Sequence, residues 1–320
     1  MRHIAFPPIL LTAALVCVLP AAPAQAQASR TFVSAAGSDS NSCTNVATPC
    51  RHFAAAYAAT APNGEIYVLD PANYGSLTIT GPVSIEGHGW ASVAPSGIGS
   101  AAITINAHPG ENINIIGVVL DGTALTNTTG IRFNSGGSLT VRDSVIRNFG
   151  SPGFGGVGLD FLPNGSTSSQ LFVSNTLVAD NGSSGIEMDS SGSGTTIGVL
   201  DHVDLENNDG GLVVNGADTQ TINVTITDSV SSNNRGGGIV AVSNNTAPLN
   251  IMARNCTIAN NGSYGLFTAS GATIRVTRST ITGNFAGWFE SSGVVSSYGD
   301  NNIDGNGSVN TQPPNPLTYK

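Results

Sequence analysis

The stretch N-T-L-V-A-D-N-G-S-S-G-I, residues 175–186, returns as N-C-T-I-A-N-N-G-S-Y-G-L at residues 255–266. What the two copies share decides the fold. Each ends in a glycine followed by a large apolar residue. That pair recurs through residues 130–288, as Gly130-Ile131, Gly158-Leu159, Gly185-Ile186, Gly211-Leu212, Gly238-Ile239, Gly265-Leu266 and Gly287-Trp288. The interval between successive glycines barely changes from Gly130 to Gly265 and shortens only at the last step, to Gly287. A period that regular marks a repeat architecture.

Each repeat carries a second landmark, a short alternating segment. The copies are Leu139-Thr-Val141, Leu171-Phe-Val173, Ile197-Gly-Val199, Ile222-Asn-Val224, Leu249-Asn-Ile251 and Ile274-Arg-Val276. Alternation is the strand period, and branched side chains suit strands. Gly, Asn, Ser and Thr fill the gaps, as turns require. Repeats this short fall below the ~40 residues of a propeller blade, and they lack the Leu/Asn spacing of a leucine-rich repeat. What remains is a parallel β-helix, an all-β solenoid in which each repeat is one coil that pairs with the next.

Two further columns support the stacking. Asn181, Asn208, Asn234, Asn261, Asn284 and Asn306 recur with the same period, which again tightens over the last two steps. Stacked coils place them above one another, where each amide can hydrogen-bond to the next as an Asn ladder. The coil before them has Phe149 in that place, with Asn148 beside it. A column of small or polar residues runs alongside: Ser144, Thr176, His202, Ser229, Cys256 and Ser279. In that column His202 is expected to be buried and hydrogen-bonded, and Cys256 to be a buried, inert thiol.

On these residues the chain resembles the secreted right-handed parallel β-helix proteins of the pectin-lyase-like fold. The two copies quoted above carry the resemblance, which spans residues 64–307. It implies a right-handed solenoid of about nine coils, rising ~4.8 Å per coil. It leaves activity open, because that fold hosts polysaccharide lyases, polygalacturonases, epimerases and proteins with no known reaction. Gly87-His88-Gly89 matches a triplet found at the active site of polygalacturonases. The chain has no Asn-Thr-Asp, Asp-Asp or Arg-Ile-Lys to accompany it, so the triplet reads as a glycine-rich turn with an exposed histidine.

Residues 1–28 read as an export signal: Arg2 and His3, an apolar run over residues 9–19, then Ala24-Gln-Ala26 as a small-residue cleavage site. The run is too short to span a membrane, and Cys17 after Val16 makes a poor lipoprotein junction. The expected location is therefore secreted or periplasmic. Residues 29–63 read as an N-terminal loop, in which Cys43 and Cys50 form a disulfide. The alanine-rich stretch 51–61 reads as a short N-terminal capping helix, with His52 on its solvated face. Residues 64–307 hold the coils. Residues 308–320, with three prolines, read as a loose tail.

The formal net charge is −9. No Lys or Arg occurs between Arg147 and Arg235, while ten acids do, among them Asp160, Glu187 and Asp189. Such a surface excludes nucleic acid as a partner, since phosphate binding needs a basic face. If the large residue of each glycine step faces in, the next faces out. The outward column then reads Arg132, Asp160, Glu187, Val213, Val240, Phe267, Phe289, with Asp189 two residues beyond Glu187. Arg132, Asp160, Glu187 and Asp189 form one candidate patch, and Phe267 and Phe289 a candidate sugar-stacking strip. Paired carboxylates about 5 Å apart suit a retaining glycosidase. Their mutual repulsion would raise one pKa and supply an acid. Three carboxylates also suit Ca²⁺, although no cofactor is required. The same carboxylates also suit a merely solvated acidic face.

These readings leave a secreted monomer whose partner is a polysaccharide or cell-surface glycan, bound without catalysis. Two alternatives stand beside it. One is a polysaccharide-active enzyme, a hydrolase before a lyase, using Asp160 and Glu187 with Arg132 and Asp189 in support. An enzyme needs a cleft, and the candidate walls are the 148–156 segment and the 163–170 turn. The other alternative is a structural component of an envelope or matrix.

Overall fold

A computed structural model describes residues 27–318 apart from 124, 152, 154, 218, 245 and 246. The export signal read at residues 1–28 lies outside the described residues except for its last two positions. Among the described residues there is one α-helix, Phe53–Ala59, and every other element is a strand. Named strands pair in parallel, each with the strand one turn further along the chain; Leu159, Asp160 and Phe161 lie beside Ile186, Glu187 and Met188, for example. The chain is a right-handed parallel β-helix, as its repeats require.

Nine strands stack in one sheet: Leu77–Ile79, Ala101–Asn106, Thr129–Ser135, Val157–Phe161, Ser184–Gly192, Gly210–Gly216, Ile239–Ser243, Tyr264–Ala269 and Ala286–Ser291. A second sheet of 18 strands forms the other walls. The solenoid has about seven turns, slightly fewer than the nine coils expected from the sequence. The first strand, Leu77–Ile79, has only three residues, and the last coils shorten after Trp288. Alternation within each strand sends Ile103, Ile131, Leu159, Ile186, Leu212, Ile239 and Leu266 inward, all fully buried. Phe133 and Phe161 stack in the same interior with centroids 4.4 Å apart.

The Asn ladder forms as its spacing predicts. Asn181 Nδ2 donates to Asn208 Oδ1 at 2.9 Å, Asn208 to Asn234 at 3.3 Å, Asn234 to Asn261 at 2.9 Å, Asn261 to Asn284 at 2.8 Å and Asn284 to Asn306 at 2.9 Å. Each Oδ1 also accepts the backbone N–H of the preceding ladder asparagine. Phe149, in the coil that breaks the pattern, still donates its backbone N–H to Asn181 Oδ1 at 3.1 Å. The recurring glycines are held by two close approaches, the ladder amide and the carbonyl of the glycine one coil on, which a Cβ on Gly158 would meet at 2.5 Å. A Cβ on Gly158 would lie 2.9 Å from Asn181 Nδ2, one on Gly185 2.8 Å from Asn208 Nδ2, and one on Gly238 2.8 Å from Asn261 Nδ2. The glycine of one coil thus leaves room for the asparagine of the next. On Gly130 the Cβ would meet the carbonyl oxygen of Gly158 first, and then the Phe149 ring at 3.0 Å.

The small-residue column also stacks, with one correction. Thr176 pairs with Val203, and Val203 donates its N–H to Ser229 Oγ at 3.0 Å. His202 is therefore not in the buried column. It lies one place earlier, in the left-handed region at φ 54°, with a side chain 61% exposed and Nδ1 3.0 Å from Asp201. The column step from Thr176 ends one place later than the polar side chain of His202 suggests. Cys256 is in the column and buried. Its Sγ donates to the Arg254 carbonyl at 3.2 Å, and burial pushes the thiol up to about 11.

At the N-terminal end the chain is more ordered than a loop. Ala28–Val33 is a strand that pairs with Thr60–Val68, and the Cys43–Cys50 disulfide closes the segment between them. The helix is shorter than the alanine run, because Thr60 already belongs to the following strand. It packs on the first strands of both sheets, with Phe53 buried against the Tyr74 ring at 5.2 Å. His52 precedes the helix and is exposed, as expected, with Nδ1 2.6 Å from Asp39. Gly87-His88-Gly89 is a bulge inside the strand Val83–Val93, where the pairing register shifts. His88 is at φ 57°, and its ring packs 4.4 Å from that of Tyr67.

Replacing a ladder residue is expected to cost more than its size suggests. Asn234→Ala removes the bonds to Asn208, Asn261 and the Leu205 carbonyl. The stranded polar groups should lower stability by about 2–4 kcal/mol. Asn250→Ala, on the outside, should cost under about 0.5 kcal/mol. Urea unfolding of both variants checks this, and equal losses would remove the ladder from the account. The Cys256 thiol should resist iodoacetamide in the folded protein at pH 8 and react once the protein is unfolded.

Candidate functional site

The outward column stands in the predicted register. Arg132 pairs with Asp160, Asp160 with Glu187, Glu187 with Val213, Val213 with Val240, Val240 with Phe267 and Phe267 with Phe289. Thr104 and Thr78 continue it toward the N-terminus. One face of the nine-strand sheet therefore carries a polar end, an acidic middle and an aromatic end, one side chain per ~4.8 Å step.

The acidic middle is built by three adjacent strands. Arg132 Nε lies 3.3 Å from Asp160 Oδ2, and Arg132 Nη2 donates to Thr129 Oγ1 at 2.9 Å. Asp160 is only 8% exposed, so it sits beneath its neighbours, while Glu187 is half-buried and Asp189 exposed. Burial pushes the Asp160 carboxyl above its usual range; Arg132 opposes this and Asp189 adds to it. Glu187 is also pushed up, first by burial and then by the charges of Asp160 and Asp189, against a hydrogen bond from Ser184. Asn215 Nδ2 reaches Glu187 Oε1 at 3.4 Å. Asp160 and Glu187 thus stand side by side on adjacent coils with both carboxyls disfavoured as anions, and the Arg132 guanidinium offsets this in part at Asp160.

At the other end Phe267 and Phe289 both point outward, and Phe289 is 42% exposed. A third ring, Tyr264, joins them. Its centroid is 5.4 Å from Phe267 and 4.9 Å from Phe289, with planes tilted by 25° and 19°. Tyr264 did not emerge from the alternation argument, because it precedes the glycine step and belongs to no outward strand position. Its signal was substitution within the repeat: the equivalent places hold Ser184, Gly210 and Gly237. At the polar end, a cleft of about 500 Å³ opens between the helix and the sheet, lined by Tyr57, Thr78, Ser100, Thr104 and Arg132.

Of the two segments expected to wall the acidic patch, the 163–170 turn does adjoin it. Asn164 and Gly165 pair with Ser191 and Gly192, just past Asp189. Of the 148–156 segment, Phe149 is instead buried at the ladder corner, and Gly150 donates to the Leu125 carbonyl at 3.0 Å. Away from this face, ligand atoms of Asp201, His202 and Asp228 come within 4.8 Å of one another.

Glu187→Gln gives a direct test of the electrostatics. A carboxyl whose folded pKa is raised penalises the folded state fully above that pKa, and not at all below its unfolded value. The variant should therefore gain thermal stability over the wild type at pH 7. The gain should shrink as pH falls through the raised folded pKa toward the ordinary 4.5. Thermal midpoints from pH 4 to pH 8 measure this, and a difference independent of pH would show that Glu187 is not perturbed.

No protein-family profile and no curated protein matches the sequence. Solved structures with a related chain path include pectate lyase Pel9A, at a TM-score of 0.44 and 14% identity, over 82% of this chain and 80% of that one. Another is the A-module of the Azotobacter vinelandii mannuronan C-5 epimerase AlgE4, at a TM-score of 0.44 and 15% identity, over 81% of this chain and 91% of that one. By its own coil geometry and parallel pairing, this chain has a right-handed parallel β-helix fold.

Proposed function

We propose that this protein is secreted and binds a neutral glycan along the outward face of the nine-strand sheet, without cleaving it. The observation that carries the reading is the stack of Tyr264, Phe267 and Phe289 in line with a polar column. Tyr264 and Phe267 are half-buried and stacked on their neighbours, so Phe289, 42% exposed, offers most of the apolar surface for a pyranose ring, and the Thr, Arg and carboxylate groups further along offer hydrogen bonds. The acids of the middle coils disfavour an anionic chain on the same face. The Cys43–Cys50 disulfide is consistent with an oxidising compartment, and among the described residues no helix is long and apolar enough to cross a membrane.

A second reading rests on the two raised carboxyls. Asp160 and Glu187, one coil apart and both disfavoured as anions, are the arrangement a hydrolase would use for an acid and its partner. In that case Glu187, the more exposed of the two, would be the proton donor, and Arg132 would offset part of the burial that disfavours the Asp160 anion.

A glycan panel separates the two. Affinity electrophoresis against soluble neutral polysaccharides should show retardation that weakens about tenfold in a Phe267→Ala/Phe289→Ala variant. Retardation unchanged by that variant would move the binding elsewhere. The same panel, incubated with and without Ca²⁺ and assayed for reducing ends, should show no product. Product that disappears in Asp160→Asn/Glu187→Gln would establish the hydrolase instead.

A further inference from the structure

The arginines of this acidic chain are not evenly spread. Three of its 11 basic residues, Arg254, Arg275 and Arg278, line one cleft of about 560 Å³ on the outer surface of the 18-strand sheet, with Met252, Tyr298 and Leu317. The cleft lies several coils away from the acidic patch. Its construction follows from strand alternation. Met252 and Arg254 are successive outward residues of the strand Leu249–Arg254. Arg275 is outward on the next strand, beside Met252, and Ser296 follows beside Arg275. Arg278 sits at φ 51°, in the turn just beyond its strand. The C-terminal segment forms the far wall: Asn315 and Pro316 pair with Ser296 and Ser297, and Leu317 donates its N–H to the Ser297 carbonyl at 2.8 Å.

The charges of these arginines are only partly met. Arg275 Nη1 donates to the neutral amide of Asn250 at 3.0 Å. Arg278 Nε stands 4.0 Å from Asp300 Oδ2, an oxygen that also accepts from Thr277 at 2.8 Å. Arg254 feels Asp228 on the preceding coil, whose carboxylate is already held by Asn255 and Thr227. Two acids thus face three guanidiniums, and Met252, Tyr298 and Leu317 line the same cleft, with Thr277 and Thr318 beside them.

We infer that this cleft binds an organic oxyanion, a carboxylate or phosphate carried on a compact apolar body. Guanidinium forks match the paired oxygens of either head group. Met252, Tyr298 and Leu317 supply the apolar contact that an inorganic ion would leave unused. The site is independent of the glycan face, and its test does not depend on that reading.

Four probes separate its parts, each titrated calorimetrically in low salt. Phenyl phosphate and benzoate carry both features, inorganic phosphate carries the charge alone, and benzyl alcohol carries the apolar body alone. At least one of the two aryl anions should bind ten times more tightly than inorganic phosphate and benzyl alcohol, and the stronger of the two names the head group. Arg254→Gln/Arg278→Gln should weaken that binding at least tenfold, while Arg142→Gln, on a distant coil, should not change it. Thermal melts establish that the variants are folded. If the double variant is unstable, Arg254→Lys should still bind, but less tightly, because the fork is lost and the charge kept. No saturation by either aryl anion below 10 mM would overturn the proposal. So would inorganic phosphate binding as tightly as the aryl anions, or binding that survives the double substitution.

Discussion

The amide of each ladder asparagine is the interaction on which the coil stack depends. It bonds along the solenoid to the next amide and across to a backbone carbonyl, while its oxygen takes the preceding backbone N–H. Backbone groups at this bend have no strand partner of their own, and buried unpaired groups of this kind are costly. The ladder satisfies them in every coil from Asn181 to Asn306. In doing so it requires the glycines, since a Cβ at Gly158, Gly185 or Gly238 would crowd the amide. The close approach of the next coil's backbone, the Gly185 carbonyl above Gly158 for example, asks for the same glycines.

Once the corners are set, the strands between them have little freedom. The apolar residue after each glycine must face the interior, and its successor must face out. This is why a mixed column of Arg132, Asp160, Glu187 and two phenylalanines could be placed in register from sequence. Each residue was fixed by its distance from a glycine and not by its own chemistry. His202 shows the limit of that counting. Thr176 pairs with Val203, the next residue along, and a slip of one place puts a side chain on the opposite face. Val203 has no hydroxyl to mark it as the column member, so a polar neighbour looked the better choice. Tyr264 was missed for another reason: it stands just before the glycine step, at a place that alternation does not send outward. The cluster of Arg254, Arg275 and Arg278 is legible in the sequence, but the far wall that Leu317 adds to it comes from the C-terminal segment, outside the repeats.

The electrostatics divide the rod. Its middle coils, from Asp160 to Asp228, hold acids with no Lys or Arg among them, and there the carboxyls of Asp160 and Glu187 are pushed toward their neutral forms. The arginines of the later coils gather on a different wall. A solenoid permits this separation because each coil contacts only its neighbours. Charges that would conflict in a compact domain can be kept several coils apart, and two faces of one rod can meet chemically different ligands.

The ladder also has a direction. Every amide from Asn181 to Asn284 donates toward the C-terminus, and the series closes on Asn310, which accepts from Asn306 Nδ2 at 3.0 Å. Such a chain of identical links can be lengthened or shortened only by whole units. Removing one complete coil between Asn181 and Asn306 leaves the amides on either side able to join. Removing half a coil leaves a donor and an acceptor facing nothing, and sets the later strands of one wall against the other wall. The length of this rod is in that sense counted in coils, and its surface can change residue by residue while its length cannot.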